Sequence, residues 1–142
     1  MDTINQLRGL LSAMDVSLQK LLEVEDQKTM ILEKGSVDDL NALMNSEQAL
    51  IMECNAQEKR RLVLCDELNV ETVAELIEKY PDTINTIGPL HESIGNTVNS
   101  IKKVGTLNMK LIETRMKIIN FLTSQIGVMS DNTKYGKNAR IV

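Results

Sequence analysis

The sequence predicts an all-α fold: an antiparallel coiled-coil hairpin of two long helices, followed by a short helix and a third long C-terminal helix. Three observations predict it. Apolar residues recur at alternating 3- and 4-residue steps, which holds one stripe on one side of a helix and asks for a second helix to cover it. One Phe, two Tyr and no Trp among 142 residues leave few large anchors for a compact core, whereas eight Met suit the gaps between helices. Glycine and proline stand between the periodic stretches, at Gly35, Pro81, Gly88 and Pro89.

The first helix is predicted over residues 2–34, with Thr3-x-x-Gln6 as a capping box and Ile4, Leu7, Leu11, Met14, Leu18 and Leu21 on its seam. Glu25 and Lys28 then stand where the pattern asks for apolar residues. Gly35 ends the helix, because glycine accepts the left-handed backbone common just past a helix terminus. Ser36-x-x-Asp39 starts the second helix at once, and so short a junction forces the antiparallel hairpin.

The second helix, residues 36–68, carries Leu40, Leu43, Glu47, Leu50, Cys54, Gln57, Arg61 and Leu64 on its seam. Arg61 packs its aliphatic stem there while its head reaches solvent. Asn69 is expected to cap a short helix over 70–79, which Tyr80-Pro81 breaks because proline disfavours helix for the residue before it. Residues 82–88 read as a loop or a ragged turn, and Pro89 then suits the first turn of the last helix, 89–128.

On that helix the seam runs Leu90, Ile94, Thr97, Ile101, Val104, Asn108, Leu111, Arg115, Ile118 and Leu122. From Leu107 on, further apolar residues spread around the cylinder, more than one seam can cover. Either the first two helices flank the last one and bury both faces, or one face is left for a partner or for self-association. The polar intrusions Glu47, Asn108 and Arg115 are expected to set register. Residues 1–129 are thus one helical-bundle domain, and 130–142, polar and basic without period, a flexible tail.

Charge is divided unevenly. Residues 1–100 hold 8 Lys/Arg against 18 Asp/Glu, and residues 101–142 hold 8 Lys/Arg against Glu113 and Asp131. That favours antiparallel docking of the basic end onto the acidic body, or an acidic partner. The acidic majority and the lack of interleaved aromatic and basic residues argue against nucleic acid. No run approaches the ~20 apolar residues of a membrane span, and the first residues lack a signal peptide's pattern, so a soluble cytoplasmic protein is expected.

Cys54 and Cys65 lie ~16 Å apart along one helix, too far to bond to each other. They read as reduced structural cysteines, Cys54 in the core and Cys65 near the helix end. The single histidine, His91, shares no spacing with either, and there is no Glu-x-x-His pair and no glycine-rich phosphate loop. No catalytic residue, metal site or cofactor is expected, and the chain is not expected to be an enzyme.

The order and spacing of several residues carry a family resemblance. Lys28, Leu32, Gly35, Ser36, Leu40, Leu43, Glu47, Leu50 and Ile51 are followed by Glu58 and Arg61, then a short helix. Asn108, Leu111 and Ile112 come next, and Tyr135-Gly136 closes the chain, without the further glycine that often follows. In these residues the chain resembles the FlgN-like flagellar export chaperones over essentially its whole length. The resemblance implies a cytoplasmic helical chaperone without ATPase activity. Its clients would be the hook-filament junction proteins (hook-associated proteins one and three, FlgK and FlgL), held by their C-terminal helices and delivered to the flagellar type III export apparatus.

The resemblance also places client binding in the C-terminal portion. Here that means Leu111, Ile112, Arg115, Ile118, Ile119, Phe121, Leu122, Gln125, Ile126, Met129 and Tyr135. Independently of the resemblance, Ile118, Phe121, Leu122, Gln125 and Ile126 have the spacing with which a helix meets another amphipathic helix. The competing reading is a non-catalytic coiled-coil adaptor in which this helix is plain core.

Overall fold

A computed structural model of the chain describes residues 2–125. They form α1 (Asp2–Lys34), α2 (Val37–Glu67), α3 (Val73–Lys79), a 3-10 turn (Pro81–Asn85) and α4 (Gly88–Gln125), with no strand among the described residues. The all-α prediction, with a long-helix hairpin, a short helix and a third long helix, is borne out. The predicted tail over 130–142 lies outside the described residues.

α1 is the central helix, with α2 packed along one side and α4 along another. The reversal between α1 and α2 is local chemistry. Gly35 takes φ +75°, its amide closing on the Ile31 carbonyl at 2.9 Å, and Ser36 Oγ accepts from the Asp39 amide at 3.4 Å. At the other end α2 stops at Asn69, which adopts φ +59° while the Val70 amide returns to the Cys65 carbonyl at 3.0 Å. Asn69 therefore ends α2 and does not cap the next helix. Thr72 does that, accepting from the Glu75 amide at 3.1 Å, so the short helix starts at Val73 and not at residue 70.

Tyr80-Pro81 ends α3 as expected, and the stretch read as a loop or ragged turn is a 3-10 turn leading into α4 at Gly88. Thr3 lies inside α1, which begins at Asp2, so its side chain is not the helix cap.

The main apolar core sits at the end where α1 begins. Leu7 and Leu11 of α1, Leu64 and Cys65 of α2, Val70, Val73 and Leu76 around α3, and Ile87 close on one another, each less than 9% exposed. Ile4, Leu90 and Ile94 seal its edge. Cys65 is thus a core residue at 1% exposure, while Cys54 is half-buried, the reverse of the expected order. Both thiols are free, and burial pushes both pKa values up.

From this core the three long helices run toward the hairpin turn with α4 parallel to α1. Ser93 donates to Asp15 at 2.7 Å, Asn108 meets Glu25, and Arg115 meets Leu32. The described part of the basic end, residues 101–125, therefore runs parallel to α1, not antiparallel to it. The connection through α3 stays at the core end, so the last helix must rise in the same direction as the first.

Candidate functional site

Along α4 the buried positions follow the predicted seam: Thr97 and Asn108 are buried, and Leu90, Ile94, Ile101, Val104 and Leu111 are half-buried. The polar intrusions on the seam face one another across the bundle. Asn108, 2% exposed, donates through Nδ2 to the Glu25 backbone carbonyl at 3.1 Å and to Glu25 Oε2 at 3.2 Å, and accepts from Thr29 Oγ1 at 2.6 Å. On the other side of α1, Lys28 Nζ donates to both carboxylate oxygens of Glu47, at 3.1 and 3.3 Å. Glu25 and Lys28, which break the apolar pattern of α1, are the partners of Asn108 and Glu47.

Each carboxyl in this layer answers to its neighbours. Burial, with the Glu47 carboxylate beside it, raises the Glu25 pKa to about 7, against the opposing pull of Lys28 and Asn108. Burial also works against ionisation of Glu47. There the hydrogen bonds from Glu25 and Lys28 outweigh it and hold the pKa below the usual carboxylate value.

Nearer the core, Gln57 Nε2 donates to Ser17 Oγ at 3.0 Å, and its buried Oε1 has no partner. Nearer the hairpin turn, Arg115 spends its guanidinium on α1. Its Nε donates to the Leu32 carbonyl and Nη2 to the Glu33 carbonyl at 2.8 Å, two of the carbonyls a helix leaves unpaired in its last turn.

Beyond Arg115 the packing among the described residues thins, with Met116 and Thr123 the last half-buried positions. α1 has ended, and α4 continues for ten more residues, ~15 Å at 1.5 Å per residue. On this projecting stretch Ile118, Ile119 and Leu122 are each 53% exposed and Phe121 61%. Ile118, Phe121 and Leu122 stand at i, i+3 and i+4, so they share one face of the helix. Large apolar side chains in a contiguous exposed stripe are what a partner covers.

At the base of the stripe Ile118 and Ile119 line an apolar groove of ≈ 200 Å³ together with Ile31, Leu32, Val37, Leu40 and Arg115. The hairpin side of this groove was not anticipated from sequence. Gly35, read only as a helix stop, also makes room there: a Cβ on it would lie 2.7 Å from Arg115 Nη1.

The eleven residues singled out from the sequence thus divide. Leu111, Ile112 and Arg115 are half-buried against the bundle, and Ile118, Ile119, Phe121 and Leu122 are exposed on the projecting stretch. Gln125 closes the described helix, and Ile126, Met129 and Tyr135 lie outside the described residues.

Among the described residues no group of three or more His, Cys, Asp or Glu side chains is placed to hold a metal ion. No described helix is long and apolar enough to cross a membrane. No curated protein and no solved structure matches the chain. A family model described as FlgN protein matches residues 1–141. By that match the chain belongs to the FlgN family and is a flagellar export chaperone.

Proposed function

We propose that this chaperone holds the C-terminal amphipathic helices of the hook-filament junction proteins, FlgK and FlgL, in the cytoplasm, prevents their premature assembly, and delivers them to the export apparatus. The observation that carries this reading is the exposed apolar stripe of α4, which begins where α1 ends. A client helix laid along Ile118, Ile119, Phe121 and Leu122 covers surface that the described residues leave exposed, and apolar burial of this kind drives helix-in-groove recognition. Leu111 and Ile112 continue the stripe toward the bundle. Arg115 contributes by pinning α4 to the end of α1, and Gln125, Ile126, Met129 and Tyr135 extend the client surface in sequence.

Titration calorimetry of the intact chain against C-terminal peptides of the hook-filament junction proteins tests the proposal. Binding is expected, and Phe121→Ala is expected to weaken it by more than about 1 kcal/mol, roughly fivefold in Kd, without lowering the melting temperature. Absence of binding by the intact chain would remove these clients and leave a structural helical adaptor as the better account.

A further inference from the structure

α2 is fastened unevenly. Its buried residues are Glu47, Leu64 and Cys65, so over its first twenty-seven residues the only buried side chain is a carboxylate. Leu40, Leu43, Leu50 and Cys54 on the same stretch are half-buried. A helix whose apolar residues are only partly covered depends on its polar lock, and here that lock holds two acids and one base. Glu25 and Glu47 are each 8% exposed; Lys28 Nζ sits 3.1 Å from Glu47, whereas the Glu25 carboxyl accepts its one side-chain hydrogen bond from the uncharged Asn108 amide, at 3.2 Å. The groups facing Glu25 are Lys28 from α1, Glu47 from α2 and Asn108 from α4, and Asn108 carries no charge.

We propose that Glu25, Glu47 and Lys28 form a proton-operated latch that fastens the first half of α2 to α1. With one proton held on Glu25 and donated toward the Glu47 carboxylate, the layer contains one negative and one positive charge and is closed. Loss of that proton leaves two carboxylates against one ammonium in a poorly solvated place, where an unpaired charge is costly. The strain falls on the α1–α2 contact. Asn108, on the α4 side, donates to Glu25 and favours its ionised form, so loss of the proton does not strain the α1–α4 contact.

The direction in pH follows from which state holds more protons. The Glu25 pKa is raised from 4.5 to about 7 by burial and by Glu47, so the closed state binds more protons than the open one between those values. The latch is tight on the acid side of this window, weakens as pH rises through it, and is open-prone above about 7. The swinging part of α2 carries Val37 and Leu40, one wall of the apolar groove whose other wall is Ile118 and Ile119. Opening the latch therefore reshapes the groove, and control of client binding through it rests on the client reading above; the latch itself does not.

The test is a carboxyl-carbon NMR titration of the full chain, with amide exchange followed over residues 37–54 and corrected for the intrinsic pH dependence. Glu25 is expected to titrate near neutrality in the wild type and to fall toward the ordinary carboxylate range in Glu47→Gln. Exchange over 37–54 is expected to be about tenfold or more faster at about pH 8 than at about pH 5.5, and to lose that difference in Glu25→Gln. A Glu25 midpoint in the ordinary range overturns the proposal. So does exchange over 37–54 that ignores the titration, or pH-dependent exchange that survives in Glu25→Gln. A client affinity that stays constant across an opening latch would count against the client reading alone.

Discussion

Replacing Asn108 by alanine removes the side chain through which α4 hydrogen-bonds α1 at Glu25 and Thr29. Two donated bonds are lost, to the Glu25 carbonyl at 3.1 Å and to its carboxyl at 3.2 Å, and the Thr29 hydroxyl loses an acceptor at 2.6 Å. The Thr29 hydroxyl keeps a second acceptor, the Glu25 carbonyl at 3.2 Å, so its loss is small. The Glu25 carboxyl has no such substitute on the α4 side. At about 1 kcal/mol for each net bond, plus the void left at a position 2% exposed, the expected loss is about 2–3 kcal/mol. For 142 residues at ~2.1 cal/mol/K each, that lowers the melting temperature by about 7–10 °C. Urea unfolding followed by circular dichroism measures it at pH 6. A loss below about 0.5 kcal/mol would refute the claim that this layer holds α4 to α1.

Further perturbations probe the other polar contacts. Gly35→Ala should destabilise by about 1–2 kcal/mol, since alanine resists φ +75° and its Cβ meets Arg115 Nη1 at 2.7 Å; urea midpoints compare it with wild type. Ser17→Ala with Gln57→Leu removes a partly buried hydrogen bond together with the orphaned Gln57 Oε1, and should be neutral or stabilising by about 1 kcal/mol in the same assay. Thiol labelling in native buffer should modify the half-buried Cys54 before Cys65, which at 1% exposure reacts only as the core opens. Wild-type stability should fall between about pH 5 and pH 7 through the raised pKa of Glu25, and Glu25→Gln should flatten that slope.

Most of the seam of α1 was readable because leucine spacing reports on which side of a helix is covered: Leu7, Leu11, Met14 and Leu21 are buried, whereas Ile4 and Leu18 are half-buried and Ser17, not Leu18, is the buried residue of its turn. Glu47, Asn108 and Arg115 were recognisable as polar intrusions on apolar seams. Their partners were not, since nothing local ties Asn108 to Glu25 or Arg115 to the Leu32 carbonyl, more than eighty residues away. The start of the short helix was misplaced because Asn69 suits two roles, a helix cap and a left-handed stop, and the chain uses the second.

The surplus of apolar residues on the last helix was visible in its sequence. Which of them face α1 was not, because that depends on where α1 ends relative to α4. The hairpin side of the groove is a product of the same geometry: Val37 and Leu40 meet Ile118 and Ile119 only because α4 runs parallel to α1 and outlasts it.

Hydrogen exchange along α4, with and without a C-terminal helix of a hook-filament junction protein, tests the central claim most directly. The free chain should protect the amides from Ile94 to Asn108 and exchange quickly from Met116 to Gln125, and the client should slow that second stretch while leaving the core end unchanged. Uniform protection of α4 in the free chain, or client protection confined to another part of the molecule, would contradict the account.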